Sequence, residues 1–94
     1  MKIRFTPAAE AQFLEAIRFV QLDNPSAANA FYDRCLDALS RLEDFPHSGR
    51  RIPEFPNLPY REVIVRPYRF FYRIHRGEIW VVAAYHGARE PEHP

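Results

Sequence analysis

The chain has 94 residues, 13 basic against 12 acidic side chains, and a formal net charge of +1. That length allows a single domain, residues 1–94, around one modest core, and 47% hydrophobic with 27% charged residues excludes a disordered chain. No apolar run approaches the roughly 20 residues of a membrane span and no signal-peptide pattern opens the chain; the single cysteine, Cys35, excludes an internal disulfide framework and suits a cytoplasmic protein.

Lys2 to Thr6 alternates polar and apolar residues, which predicts a short strand. Thr6-Pro7 reads as a helix start, with Thr6 capping free N–H groups and proline at the first helical position. Ala9, Phe13, Ile17 and Val20 follow at helical spacing, and Asp23-Asn24-Pro25 ends this helix and caps the next. Ala28, Phe31, Cys35, Leu39 and Leu42 form the second stripe, ending near Asp44. So short a connection predicts a helical hairpin. From Phe45 to Pro59, Pro46, Pro53, Pro56 and Pro59 forbid a long helix or a central strand, so an ordered loop is expected. Tyr60 to Val65 is a strand, broken by Pro67; Arg69 to His75 alternates Arg69, Phe71, Arg73 and His75 on one face with Phe70, Tyr72 and Ile74 on the other. Arg76-Gly77 fits a tight hairpin turn. Glu78 to Tyr85 is the most apolar strand and is expected to be central, His86-Gly87-Ala88-Arg89 leaves the sheet, and residues 90–94 read as a frayed tail. The order β-α-α-β-β-β predicts an α+β fold with the helical hairpin packed on one face of a mostly antiparallel sheet. One hairpin covers one face, so Arg69, Phe71 and Arg73 are expected on an uncovered face suited to contact.

Charge divides along the chain. Residues 1–45 carry a net −2 and residues 46–94 a net +3; between 47 and 89 the excess is +5, and 12 of the 13 basic residues are arginine. Guanidinium groups match carboxylate and phosphate bidentately. Interleaved with Tyr60, Tyr68, Phe71, Tyr72, Trp80 and Tyr85, they give a texture that suits RNA, although the same pattern arises when the aromatics are core and the arginines pair with Glu54, Glu62 and Glu78. The three glycines are isolated, so no phosphate loop is present, and neither CxxC nor HExxH occurs. The four histidines are scattered, and no metal or other cofactor is expected. Cys35, on the apolar stripe, is expected to be a buried inert thiol. His86 is the best acid–base candidate and Glu54 a candidate base; with an arginine from the middle strand opposing phosphate charge they would suffice for metal-free RNA cleavage by the 2′-hydroxyl. In the structural alternative, His86 caps the last strand and Glu54 pairs with Arg50 or Arg51.

Four runs in order, Gly49-Arg50-Arg51-Ile52-Pro53-Glu54, Tyr60-Arg61-Glu62-Val63, Tyr68-Arg69-Phe70-Phe71-Tyr72-Arg73 and His86-Gly87-Ala88-Arg89, resemble the RelE/ParE superfamily of toxins from type II toxin–antitoxin systems. The resemblance covers nearly the whole chain. It implies a small cytoplasmic toxin neutralised by a cognate antitoxin that wraps it. ParE-type members inhibit DNA gyrase; RelE- and YoeB-type members cut mRNA on the ribosome. The central lysines of the RelE pattern are missing, since Lys2 is the sole lysine. Glu54, Arg69 and His86 stand where the YoeB pattern has its glutamate, arginine and histidine, but Gly87 follows the histidine where that pattern has tyrosine. The His-Gly-Ala-Arg ending is more similar to the ParE-like branch, which is associated with plasmid stabilisation and growth inhibition. The resemblance therefore implies a protein-binding inhibitor of gyrase rather than a catalyst, with Arg61, Arg69, Phe71, Arg73, Trp80 and Arg89 contacting antitoxin or target, no membrane, and no direct DNA binding by the toxin alone. The alternatives are a metal-free, ribosome-dependent mRNA endonuclease using Glu54 as base, Arg69 against phosphate and His86 as acid, or a non-toxic homologue that only binds its partner.

Overall fold

The computed structural model describes residues 1–87. The expectations for Arg89 and for a frayed tail over 90–94 lie outside those residues. The elements are β1 (Lys2–Phe5), α1 (Pro7–Asp23), α2 (Pro25–Asp44), β2 (Arg50–Arg51), β3 (Arg61–Val65), β4 (Tyr68–His75) and β5 (Glu78–His86).

Both helix starts rest on the chemistry read from the sequence. The Thr6 hydroxyl accepts from the Ala9 N–H at 3.2 Å, with Pro7 in the first helical position. Asn24 closes α1, its own N–H donating to the Val20 carbonyl, and opens α2, its side-chain oxygen accepting from the N–H groups of Ser26 and Ala27. The stripe Ala28, Phe31, Cys35, Leu39 and Leu42 is buried. On α1 only Ala9 and Ala16 are buried, with Phe13, Ile17 and Val20 packed at the core's edge.

The sheet has the order β1-β5-β4-β3-β2, antiparallel throughout except for the parallel pair β1–β5. The strand Glu78–His86 is interior, flanked by β1 and β4, but β4 takes the middle position. The Pro-rich segment contains β2, a two-residue edge strand whose Arg50 pairs opposite Glu62. Between β4 and β5 the register shifts: Phe71 faces Ala83 while Tyr72 faces Val81, leaving Val82 as the extra residue of a bulge. Arg76 and Gly77, both at positive φ, make the β4–β5 turn.

The helical hairpin covers one face of the sheet and encloses the main core, in which Phe31, Leu42, Phe70, Tyr72, Ile79 and Val81 are almost wholly buried. The opposite face is not left open as expected. Residues 52–60 fold back over its middle, and Ile52 and Phe71 lose all solvent exposure beside Ala83 and Tyr85, with Phe55 and Tyr60 at the margin. The strand-derived apolar side chains on that face needed cover, and the loop supplies it with Ile52 and Phe55. The loop's start is fixed by Tyr72, whose hydroxyl donates to the Pro46 carbonyl at 2.8 Å and accepts from the Gly49 N–H at 2.9 Å. A methyl group on Gly49 would stand 2.5 Å from that hydroxyl, so glycine is required by the close approach.

Candidate functional site

The register of β3 and β4 puts Glu62 opposite Phe71 and Ile64 opposite Arg69, on the face covered by the loop. Glu62 has no exposed side-chain surface and Arg69 only 10%. Charges so placed are stable only when paired. Arg69 donates from Nε to Glu62 Oε1 at 2.7 Å and from Nη2 to Glu62 Oε2 at 2.9 Å. From the loop, Glu54 accepts from Nη1 at 2.9 Å and Nη2 at 2.8 Å. Arg50 completes the cluster, its Nε donating to Glu62 Oε2 at 3.2 Å. The Arg69 guanidinium also lies 5.1 Å from the Phe71 ring centre.

These bonds set the protonation states. The hydrogen bonds from Arg69 hold the Glu54 carboxyl at about 2, far below its usual 4.5, and the two carboxylates push the Arg69 pKa further up. Burial pushes the Cys35 thiol up to about 12.

Glu54, Arg69 and His86 open on the same cavity. They line one cleft of ≈ 480 Å³ together with Arg50, Pro53, Ile64, Arg66, Pro67, Tyr68 and Gly87. His86 ends β5, its ring 5.3 Å from that of Tyr68 and 6.1 Å from that of Phe19. The pairing of Glu54 differs from the structural alternative: its partner is Arg69, not Arg50 or Arg51, and Arg51 donates to the Leu58 carbonyl. Glu62, Arg50, Arg66 and Tyr68 belong to the same neighbourhood and were not singled out as site residues. Glu62 was read only as one ion-pair partner for the arginines; it stands directly before the apolar run Val63-Ile64-Val65, and a carboxylate buried there needs a cation.

Of the expected contact residues, Phe71 is fully buried and Arg69 is held internally, so neither presents a contact surface. Arg61 donates to the Gly49 carbonyl at 2.9 Å and faces the helix side, opposite Tyr72. Arg73 and Trp80 do reach a surface. Arg73 is opposite Trp80, and Trp80 is opposite Arg4. The guanidinium of Arg73 lies 5.6 Å from the Tyr60 ring centre and that of Arg4 6.0 Å from the Trp80 ring. Arg4 also pairs with Glu78. Sequence reasoning missed the apolar surface of α1, where Leu14, Phe19 and Leu22 are exposed, Leu22 by 84%. Among the described residues no group of three or more His, Cys, Asp or Glu could hold a metal ion, and no helix is long and apolar enough to cross a membrane.

Among curated proteins none matches the chain. Among solved structures, one described as the chromosomal ParDE TA system from P. aeruginosa superposes with a TM-score of 0.72 at 18% identity, covering 92% of this chain and 95% of that one. That likeness establishes the fold. The family model for the ParE toxin of type II toxin–antitoxin system, parDE, matches residues 3–91. A match over nearly the full length places this chain in the ParE toxin family.

Proposed function

We propose that this ParE-family toxin is neutralised in the cytoplasm by a cognate antitoxin and acts by binding DNA gyrase, without catalysis of its own. The observation that carries the non-catalytic half is the state of Glu54 and Arg69. A general base should titrate near the working pH, whereas the Glu54 carboxyl titrates at about 2 because Arg69 holds it. A phosphate-stabilising arginine should have free donors, whereas Nε, Nη1 and Nη2 of Arg69 all donate to Glu54 and Glu62. The two residues serve each other by holding the loop on the sheet. Gyrase as target is supported by the resemblance to the ParE-type members. Purified toxin added to a gyrase supercoiling reaction should reduce supercoiling or trap a cleavage complex; full supercoiling with no trapped complex refutes the target.

A second reading rests on the convergence of Glu54, Arg69 and His86 on one cleft. If the chain is a ribosome-dependent mRNA endonuclease, induced cells will show A-site cleavage that His86→Ala and Glu54→Ala abolish. Cutting that survives both substitutions removes these residues from the mechanism. A chain without effect on growth when induced would be a partner-binding homologue only.

A further inference from the structure

Arg73 is the charged group that the internal pairing leaves unexplained. Its Nε is buried and has no hydrogen-bond partner, and no ion pair reaches its guanidinium among the described residues. The orphaned Nε shows that no acceptor of the described residues comes to this guanidinium, and Nη1 and Nη2, which are not buried in that way, are the donors a partner can reach. The side chain is also held in place. It lies over Tyr60 and stands beside Trp80 in a crosswise row, Arg73 on β4, Trp80 on β5 and Arg4 on β1. All three lie on the face away from the helices, at the hairpin end that the Ile52–Phe71 cluster does not reach. The next row holds His75, Glu78 and Lys2. With three cations against one carboxylate, this end of the face is positive.

We propose that the Arg73–Trp80–Arg4 row is a docking site for an acidic–apolar–acidic segment of a protein partner, the cognate antitoxin, with Arg73 receiving a carboxylate and Trp80 the apolar residue between. The inference rests on the antitoxin reading above and adds the contact chemistry. Two outer strands of a three-strand row are about 10 Å apart. Carboxylates at positions i and i+7 of a helix stand about 10.5 Å apart on one face, with i+3 and i+4 between them. A helix crossing the strands would thus set an acid over each guanidinium and an apolar side chain over the indole. Glu78 already pairs with Arg4, so Arg73 is the guanidinium of the row that has no carboxylate of this chain among the described residues. Arginine is required at position 73 because a planar fork on aromatic faces can take a carboxylate bidentately.

The test is calorimetric titration of the full-length toxin with its purified antitoxin, with circular dichroism melts of each variant read first. Arg73→Met keeps the aliphatic stem and removes the charge; Arg73→Lys keeps both stem and charge, so its fold is secure and it reads the loss of the fork alone. Arg73→Met should raise Kd by roughly 10- to 100-fold and Trp80→Ala by about 10-fold or more, with Arg73→Lys recovering less than half of the Arg73→Met loss and Arg18→Ala staying within about two-fold. Kd values for Arg73→Lys, Arg73→Met and Trp80→Ala all within two-fold of the parent would overturn the site while leaving the antitoxin pairing intact. Absence of binding by the parent toxin would overturn the pairing itself. A 12-nucleotide single-stranded RNA whose binding depends on Arg73, alongside antitoxin binding that does not, would replace the peptide with phosphate and so overturn the proposal too.

Discussion

Replacing Arg69 by methionine tests whether the Glu54–Arg69–Glu62 cluster is a structural clasp. Methionine keeps the unbranched stem against Phe71 but leaves Glu62 with no exposed side-chain surface and one cationic partner, Arg50, whose own side chain is 58% exposed. Glu54, with its side chain 37% exposed, can turn to water; Glu62 cannot. Removing one partner from a buried ion pair costs roughly 3–5 kcal/mol, because the remaining charge is stranded. The whole stability of a chain this long is about 5–14 kcal/mol, so Arg69→Met should lower the melting temperature by about 15–30 °C. Glu62→Leu should be milder, about 1–2 kcal/mol, since Arg69 keeps its two bonds to Glu54. The double variant Glu62→Leu/Arg69→Met has no buried charge and should be more stable than Arg69→Met alone by at least about 1.5 kcal/mol. Urea denaturation followed by circular dichroism measures all three, with equal m-values required for the comparison. If Arg69→Met is no costlier than Glu62→Leu, or if the double variant shows the sum of the two losses, the clasp is not what holds Arg69.

Three further outcomes are expected. Because the folded Glu54 carboxyl titrates at about 2 against 4.5 unpaired, its contribution is fully present above pH 4.5 and is lost as pH falls through about 2; after discounting for exposure, wild type should exceed Glu54→Gln by about 1–2 kcal/mol at pH 7, with the gap closed by about pH 2 in denaturant titrations. Tyr72→Phe removes a donor to Pro46 and an acceptor for Gly49 and should cost about 1–2 kcal/mol in the same assay, and Gly49→Ala should cost more, since its Cβ would lie 2.5 Å from the Tyr72 hydroxyl and 2.8 Å from the Glu62 carbonyl oxygen. With its thiol pushed up to about 12, Cys35 should ignore a disulfide-exchange reagent at pH 8 until the chain is unfolded in urea, and prompt labelling of native protein would contradict its burial.

The helices were legible because their boundaries are set by local chemistry: Thr6-Pro7 and Asn24-Pro25 each combine a capping oxygen with a proline that fixes the first turn. The stripe on α2 was legible because all five of its residues follow the helical period into the core, Ala38 being the one further buried residue of that helix. The covered face was not. Ile52 and Phe55 sit among prolines with no period to mark them as core, so nothing local showed that the loop would close over Phe71. The two residues of β2 are too few for any alternation to register. Glu54, Arg69 and His86, far apart in sequence, line one cleft. Its charge state depends on Glu62, reached through strand pairing seven residues away in sequence, which composition and spacing along one strand do not encode.

Counting arginines along the chain therefore misstates what a partner would meet. The eight arginines between residues 47 and 89 include Arg50 and Arg69, which with Glu54 and Glu62 form a cluster of no net charge. Arg51 and Arg61 each bind a backbone carbonyl of this chain, at Leu58 and Gly49. A nucleic-acid track draws its affinity from many outward cations acting together on a phosphate backbone, and a cluster that neutralises itself contributes little to such a field. A protein partner needs less charge and more definition, since a few desolvated anchors carry most of the binding energy and arginine and tryptophan are prominent among them. Arg73 beside Trp80, with Tyr60 behind, supplies that kind of anchor at one end of the sheet. The arginines that the fold consumes and Arg73, which no ion pair reaches among the described residues, thus argue in the same direction: this basic half holds its own loop, and the proposed site on it suits a protein partner better than a phosphate track.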